Sequence, residues 1–149
     1  MTQFRRAAST DLEGLLPMVR DFHAHEGIAL PDEDRRRAVA EALATPDRAA
    51  ILVAEGALGL QGYGVVAFSV SVEFGGRTAI VDELYVDPHL RGRGIGTGLL
   101  EKAQRLAELS GAKALLLEVA DVNPEAARLY QARGFSCLLY TSPSPRDRG

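Results

Sequence analysis

Arg91-Gly92-Arg93-Gly94-Ile95-Gly96-Thr97 decides the reading of this chain, because it joins a strand to a helix with almost no side chains in between. Upstream, residues 79–86 (Ala-Ile-Val-Asp-Glu-Leu-Tyr-Val) read as a strand closed by Asp87-Pro88. Downstream, Ile95, Leu99, Leu100, Ala103, Leu106 and Ala107 recur at helical spacing. The glycines at the junction let backbone N–H groups approach a ligand, since no Cβ intervenes. The first turn of the helix leaves its N–H groups unpaired and carries the positive end of the helix dipole, to which Arg91 and Arg93 add full charges. Such a junction is a cradle for a pyrophosphate.

The glycine spacing narrows the ligand. A P-loop needs G-x-x-x-x-G-K-[ST], and no Lys-Ser or Lys-Thr follows here; the dinucleotide fingerprint G-x-G-x-x-G fails as well, with Thr97 or Leu99 at its last position. What fits is R-x-x-G-x-G, as Arg91, Gly94 and Gly96. This resembles the coenzyme-A-binding motif of the GNAT superfamily, the GCN5-related N-acetyltransferases. A plain glycine-rich surface loop would carry the same letters, but not the strand–loop–helix context or a second block in the right place downstream.

That second block runs from Leu115 to Phe135. Residues 114–119 form a short apolar run, the mark of a strand buried on both faces. Asn123 reads as the cap of a further helix with Pro124 at its first position, and Gly134 closes it before Phe135 begins another strand. The pattern N-x-x-A-x-x-x-Y-x-x-x-G-F is similar to the second signature of the same acetyltransferases. The resemblance covers residues 79–136, with both blocks in the family's order and spacing.

The rest of the chain is consistent with one domain. Its 149 residues suffice for a single two-layer core, and 46% hydrophobic and 25% charged residues with a net charge of −3 are ordinary for a globular protein. A slightly acidic balance argues against nucleic acid as the main partner. Arg35-Arg36-Arg37, flanked by acidic residues, reads as a solvated helix face. His23 and His25 are spaced for different faces of a helix, so they read as a solvated helix end rather than as metal ligands. No 18-residue apolar run and no signal-peptide pattern are present, which predicts a cytoplasmic protein without a membrane contact.

Coarse patterning gives the element order β-α-α-β-β-β-α-β-α-β. Residues 4–8 read as a first strand. Thr10 and Glu13 form a capping box, opening an amphipathic helix over 11–25 that Gly27 ends. A second helix spans about 31–44, with Ala38, Val39, Ala42 and Leu43 inward. Strands follow at 50–54 and 62–74, and Gly75-Gly76 reads as a two-residue hairpin turn into the strand at 77–86. The expected fold is α/β (α+β), the GNAT fold: a mixed, mostly antiparallel central sheet with helices on both faces.

The C-terminal residues read differently. Residues 137–147 resemble a one-frame translation of a transposase adapter used in DNA library preparation, and 141–149 have a disordered composition. The expectation is therefore an acetyltransferase domain over 1–136 and a non-native tail over 137–149, with the final strand of the fold lacking. Cys137, the sole cysteine, lies in that tail and supports no redox or nucleophilic reading.

The resemblance implies direct transfer of an acetyl group from acetyl-CoA to a primary amine of a small molecule or peptide, and it leaves a homodimer open. It places coenzyme A on Leu84, Tyr85 and Val86, on Arg91, Gly92, Arg93, Gly94, Ile95, Gly96 and Thr97, and on Asn123, with backbone groups near Leu84–Val86 contacting the acetyl oxygen and pantetheine arm. Tyr130 would serve as general acid for the departing thiolate. For amine deprotonation the candidates are Asp82 and Glu83, with spacing to Arg91 favouring Asp82. Adjacent strand residues point to opposite faces, so only one can face the substrate unless a bulge intervenes. The alternative is a silent domain that binds an acyl-CoA as a sensor or interaction module; the retained tyrosine and carboxylates argue for the enzyme. No metal site is expected.

Overall fold

In the computed structural model, which describes residues 1–120 and 139–142, the chain runs β1 (Gln3–Arg6), α1 (Leu12–Glu26), α2 (Asp32–Ala44), β2 (Ala49–Gly56), β3 (Gly59–Ser71), β4 (Gly76–Val86), α3 (Ile95–Leu109), β5 (Leu115–Ala120) and β6 (Leu139–Ser142). The strands form one sheet in the order β1-β2-β3-β4-β5-β6. The β1–β4 neighbours pair antiparallel, whereas β4–β5 and β5–β6 pair parallel. This is the mixed, mostly antiparallel α/β architecture expected from the sequence. The helix expected after Asn123 lies outside the described residues, as do 137–138 and 143–149. Leu139–Ser142, inside the segment read as a tail, pair with Leu117–Ala120.

Each face of the sheet has its own apolar cluster. On one, α3 lays Ile95, Leu99, Leu100, Ala103 and Ala107 against Leu52, Ala54, Val66, Ala79, Val81, Leu115 and Leu117. On the other, α1 and α2 contribute Leu15, Met18, Val19 and Val39 against Ile51, Val53, Tyr63 and Tyr85. The strands between them are buried on both faces, so their apolar runs do not alternate with polar residues.

The decisive irregularity lies in β4. Val66 pairs with Val81 and Val65 with Glu83, so Asp82 is an extra residue, a bulge. Because side chains alternate along a strand, one inserted residue reverses the faces of everything beyond it. Ala79 and Val81 pack on the α3 side; past the bulge, Leu84 and Val86 take that side, and Tyr85 joins the α1/α2 cluster. Glu83 falls in phase with Tyr85. Recorded pairing between β4 and β5 also stops here, at Val81 with Leu117.

Several local expectations need correction. No Thr10–Glu13 capping box forms: a 3-10 turn over Ser9–Asp11 leads into α1, and the Asp11 carboxylate accepts from the Ala8 N–H at 2.7 Å. Asp11 also takes two hydrogen bonds from Arg5, which hold its carboxyl below the usual range. The β3–β4 connection is a four-residue turn over 72–75 with Ser71 opposite Gly76, not a two-residue Gly75-Gly76 turn. Ala38 is exposed; Arg35 occupies the buried stripe of α2 with Val39.

Gly98 lets α3 sit close to β1. A Cβ built there would lie 2.1 Å from the Phe4 ring. Gly98→Val should therefore lower the urea unfolding midpoint by the equivalent of about 1–3 kcal/mol, the cost of overpacking a core. In a Phe4→Ala background the same substitution should cost much less, and additive effects in that double-mutant cycle would show that the ring is not what excludes the side chain.

Candidate active site

The cradle forms as its sequence dictates. α3 starts at Ile95, with Gly94 at its N-cap at φ 83°, a left-handed conformation that an L-residue adopts only under strain. The position a Cβ would occupy at Gly94 is open space, so the helix N-terminus is approachable there. Arg91 is exposed, and its Nε–H donates to the Val86 carbonyl at 3.2 Å, tying the loop back to the end of β4. Gly92 lies in the same left-handed region, and Arg93 beside it is exposed. Cradle and strand end are thus neighbours. Past Val81, no pairing with β5 is recorded for the β5-facing edge of β4 among the described residues. Leu84 and Val86 lie on the α3 face of this segment.

Across the sheet, on the α1/α2 side, the bulge assembles a polar cluster. Glu83 Oε1 accepts from the Tyr63 hydroxyl at 2.7 Å, and Glu83 Oε2 lies 2.7 Å from His23 Nε2. Arg35 Nε–H donates to His23 Nδ1 at 3.0 Å, and Arg35 also donates to Asp32 at 2.5 Å. A guanidinium has no acceptor. His23 Nδ1 must therefore accept, which places the ring proton on Nε2, donating to Glu83. Beside this chain, the Tyr85 hydroxyl donates to Asp21 Oδ2 at 2.6 Å, and the Tyr63 and Tyr85 rings lie 5.8 Å apart.

The sequence reading placed His23 and Arg35 in water; both are 6% exposed. Their spacing carried the signal, since His23 follows Leu15 and Val19 at i+8 and i+4, and Arg35 precedes Val39 by four. Tyr63 and Asp21 were not singled out, and nothing local marks them: Tyr63 reaches Glu83 only through the β3–β4 register. Of the two candidate bases, Glu83 lies inside this cluster with its side chain 18% exposed, while Asp82 is exposed at the bulge. Tyr85, singled out for its backbone, has its ring in the α1/α2 cluster. Asn123 and Tyr130 lie outside the described residues. Among the described residues, no group of three or more His, Cys, Asp or Glu could hold a metal, and no helix is long and apolar enough to cross a membrane.

Comparison with known proteins follows the same lines. The sequence matches the acetyltransferase (GNAT) family over residues 16–135. It is 40% identical over 73 residues to thialysine N-epsilon-acetyltransferase of Bos taurus, covering 49% of this chain but only 42% of that relative's length. The Mus musculus enzyme of the same name is 29% identical over 148 residues, covering 89% of this chain and 83% of the relative. A crystal structure assigned as an acetyltransferase from Arthrobacter sp. FB24 superposes with a TM-score of 0.77 at 31% identity, covering 93% of this chain and 92% of that one.

Burial pushes the Tyr63 phenol far above its ordinary range, helped by the charge and hydrogen-bond acceptance of Glu83 and by the charges at Tyr85 and Asp82. Tyr85 is raised by burial and by Asp21. The folded protein thus keeps protons that an unfolded chain releases from about pH 10 upward. The associated stability is fully present below that pH and declines as pH rises above it. Chemical denaturation at pH 8, 10 and 11 should show this decline, and Tyr63→Phe should flatten it; an equally steep decline in that variant would remove Tyr63 as its source.

Proposed function

The chain belongs to the acetyltransferase (GNAT) family, and we propose that it transfers an acetyl group from acetyl-CoA directly to a primary amine of a small molecule or peptide. The observation that carries this reading is the bulge at Asp82, which puts a hydrogen-bonded carboxylate, Glu83, on a strand segment that leads to the cradle and that, among the described residues, does not pair with β5. Acetyl-CoA would supply an activated thioester. Of the described residues, the α3 N-terminus with Gly92 and Gly94 would hold its pyrophosphate, Arg91 and Arg93 would neutralise the phosphate charge, and backbone groups of Leu84–Val86 would pair with the pantetheine amides as an added strand does. The remaining cradle residues, Ile95, Gly96 and Thr97, and Asn123 are proposed in the same role.

On the acceptor side we assign the proton-accepting role to Glu83 in preference to Asp82. An alkylammonium cannot attack until it loses a proton, and a carboxylate within reach accepts it directly or through one water. Two of the Glu83 lone pairs are engaged by Tyr63 and His23, which leaves one on each oxygen. Tyr130 is proposed to protonate the departing thiolate. The relatives named for thialysine suggest an acceptor whose amine ends a flexible alkyl chain, and Asp21, Asp82 and Glu83 supply negative charge for such a cation.

The direct test is thiol release from acetyl-CoA against a panel of thialysine, lysine and a peptide with a free N-terminus. Acetylated amine in step with thiol supports transfer, whereas coenzyme A binding with no turnover on any amine would favour a silent binding domain. Tyr130→Phe should lower turnover by about 100-fold with coenzyme A affinity unchanged. For the cradle, calorimetry should show Arg91→Ala weakening coenzyme A by about 1–2 kcal/mol, the scale of a charge-assisted contact. Gly94→Val should weaken it further through strain at φ 83°. Unchanged affinity in both would remove the cradle assignment.

A further inference from the structure

The chain of donors behind Glu83 is more than the proton transfer itself requires. His23 and Arg35 are each 6% exposed, between helices α1 and α2 and the sheet. Burying an imidazole and a guanidinium carries a desolvation cost that aliphatic side chains of similar size would not incur. The chain ends at one side on Asp32, largely in water, and at the other on the candidate base. A guanidinium does not release its proton, so the chain cannot conduct protons to solvent. What it can do is fix direction.

We propose that Arg35 and His23 are positioning residues for the acid–base step: Arg35 fixes the tautomer of His23, and His23 with Tyr63 clamps both oxygens of Glu83. The proposal rests on Glu83 being the proton acceptor. A carboxylate on a two-carbon stem has several rotamers, and a donor on each oxygen selects one of them. With the clamp in place, each oxygen offers one remaining lone pair in a fixed direction. Tyr63 alone would leave the second oxygen free to swing. If the ring proton sat on Nδ1 instead, a bare Nε2 would face the carboxylate, two acceptors in contact, and Arg35, which donates to Nδ1, prevents this.

The charged and titratable groups around Glu83 come from four elements. α1 brings His23 and, through Tyr85, Asp21; α2 brings Arg35 and Asp32; β3 brings Tyr63; β4 itself brings Asp82 and Tyr85.

The test uses the whole protein, with the amine of the panel that gives the fastest thiol release. Arg35→Met should lower kcat by at least about 10-fold. It should also move the acidic limb of the kcat/KM profile to higher pH, because a nearby positive charge is lost and the His23 proton is no longer held on the nitrogen facing Glu83. Coenzyme A affinity should stay at the parent value. A folded Arg35→Met with an unmoved limb overturns the proposal.

A second pair of variants stands independently, should Arg35→Met not fold. His23→Gln can accept from Arg35 through Oε1 and donate to Glu83 through Nε2, so it should retain most of the turnover; His23→Asn is too short to reach and should not. Equal retention or equal loss in the two overturns the clamp. Without any substrate, 15N shifts of the parent should show the His23 proton on Nε2, and a proton on Nδ1 alone overturns the tautomer assignment. Glu83→Gln separates the two levels. Parent-like turnover there removes the base reading, whereas loss of turnover there with an unmoved limb in Arg35→Met removes only the positioning role.

Discussion

One extra residue in β4 carries the geometry of the site. Without Asp82 as a bulge, the alternation set by Ala79 and Val81 would continue, and Glu83 and Tyr85 would point into the apolar cluster under α3. A carboxylate there would meet Leu99, Leu100 and Val66 with no donor in sight, at a cost of several kcal/mol for a buried ion. The bulge instead gives Glu83 two donors and gives Tyr85 an acceptor. It also coincides with the point where β4 stops pairing with β5. Bulges terminate pairing and re-aim side chains, and this one does both at a single residue. Among the described residues, the end of the β4–β5 pairing and the acceptor-side cluster thus fall at the same residue.

The two faces of the sheet then divide the work. The α3 face is apolar from Phe4 to Leu117, and the packing of its helix on the sheet fixes where the N-terminus of α3 points. The α1/α2 face is mixed. Leu15, Met18, Val19 and Val39 supply the area, and polar ties join the helices to β4: Arg35–His23–Glu83 from both helices and Asp21–Tyr85 from α1. Apolar contacts are non-directional and tolerate sliding, whereas hydrogen bonds at 2.6–3.0 Å do not. The packing brings α1 and α2 onto the sheet, and the polar ties set their register against it.

How much of this was legible follows from how local each signal was. The cradle could be read because its glycines, arginines and helix pattern are contiguous, and the α3 stripe of Ile95, Leu99, Leu100, Ala103 and Ala107 fell buried as its spacing implied. β1 to β5 were found, with end shifts of up to three residues, whereas β6 (Leu139–Ser142) lies in the segment read as a tail. The bulge was not legible, because a two-against-one pairing is a property of two strands and neither sequence announces it. That also left Asp82 and Glu83 unresolved, since alternation alone cannot assign faces across an unknown insertion. His23 and Arg35 were misplaced for a different reason. Residue type points both to solvent, whereas position, continuing apolar stripes at i+4 spacing, points both inward. A basic residue on such a stripe is buried when a partner waits for it, and the partner, Glu83, sits sixty residues from His23 in the chain.

That sequence distance matters for how site and fold depend on each other. His23 lies on α1, Arg35 on α2, Tyr63 on β3 and Glu83 on β4, so the cluster closes only when four elements dock in one register. Each member is a buried or half-buried polar group whose partner lies on another element, and a slip of any one element leaves at least one group unsatisfied at about 1–3 kcal/mol. Misdocked arrangements that would bury equal apolar area are thereby disfavoured relative to the native one. The same groups that aim Glu83 at the acceptor side therefore also discriminate between packings of α1 and α2 on the sheet. A cluster retained for chemistry and a cluster retained for docking specificity predict the same structure; they part only in solution, where the first is read in the direction of one carboxylate lone pair and the second in the cooperativity of unfolding.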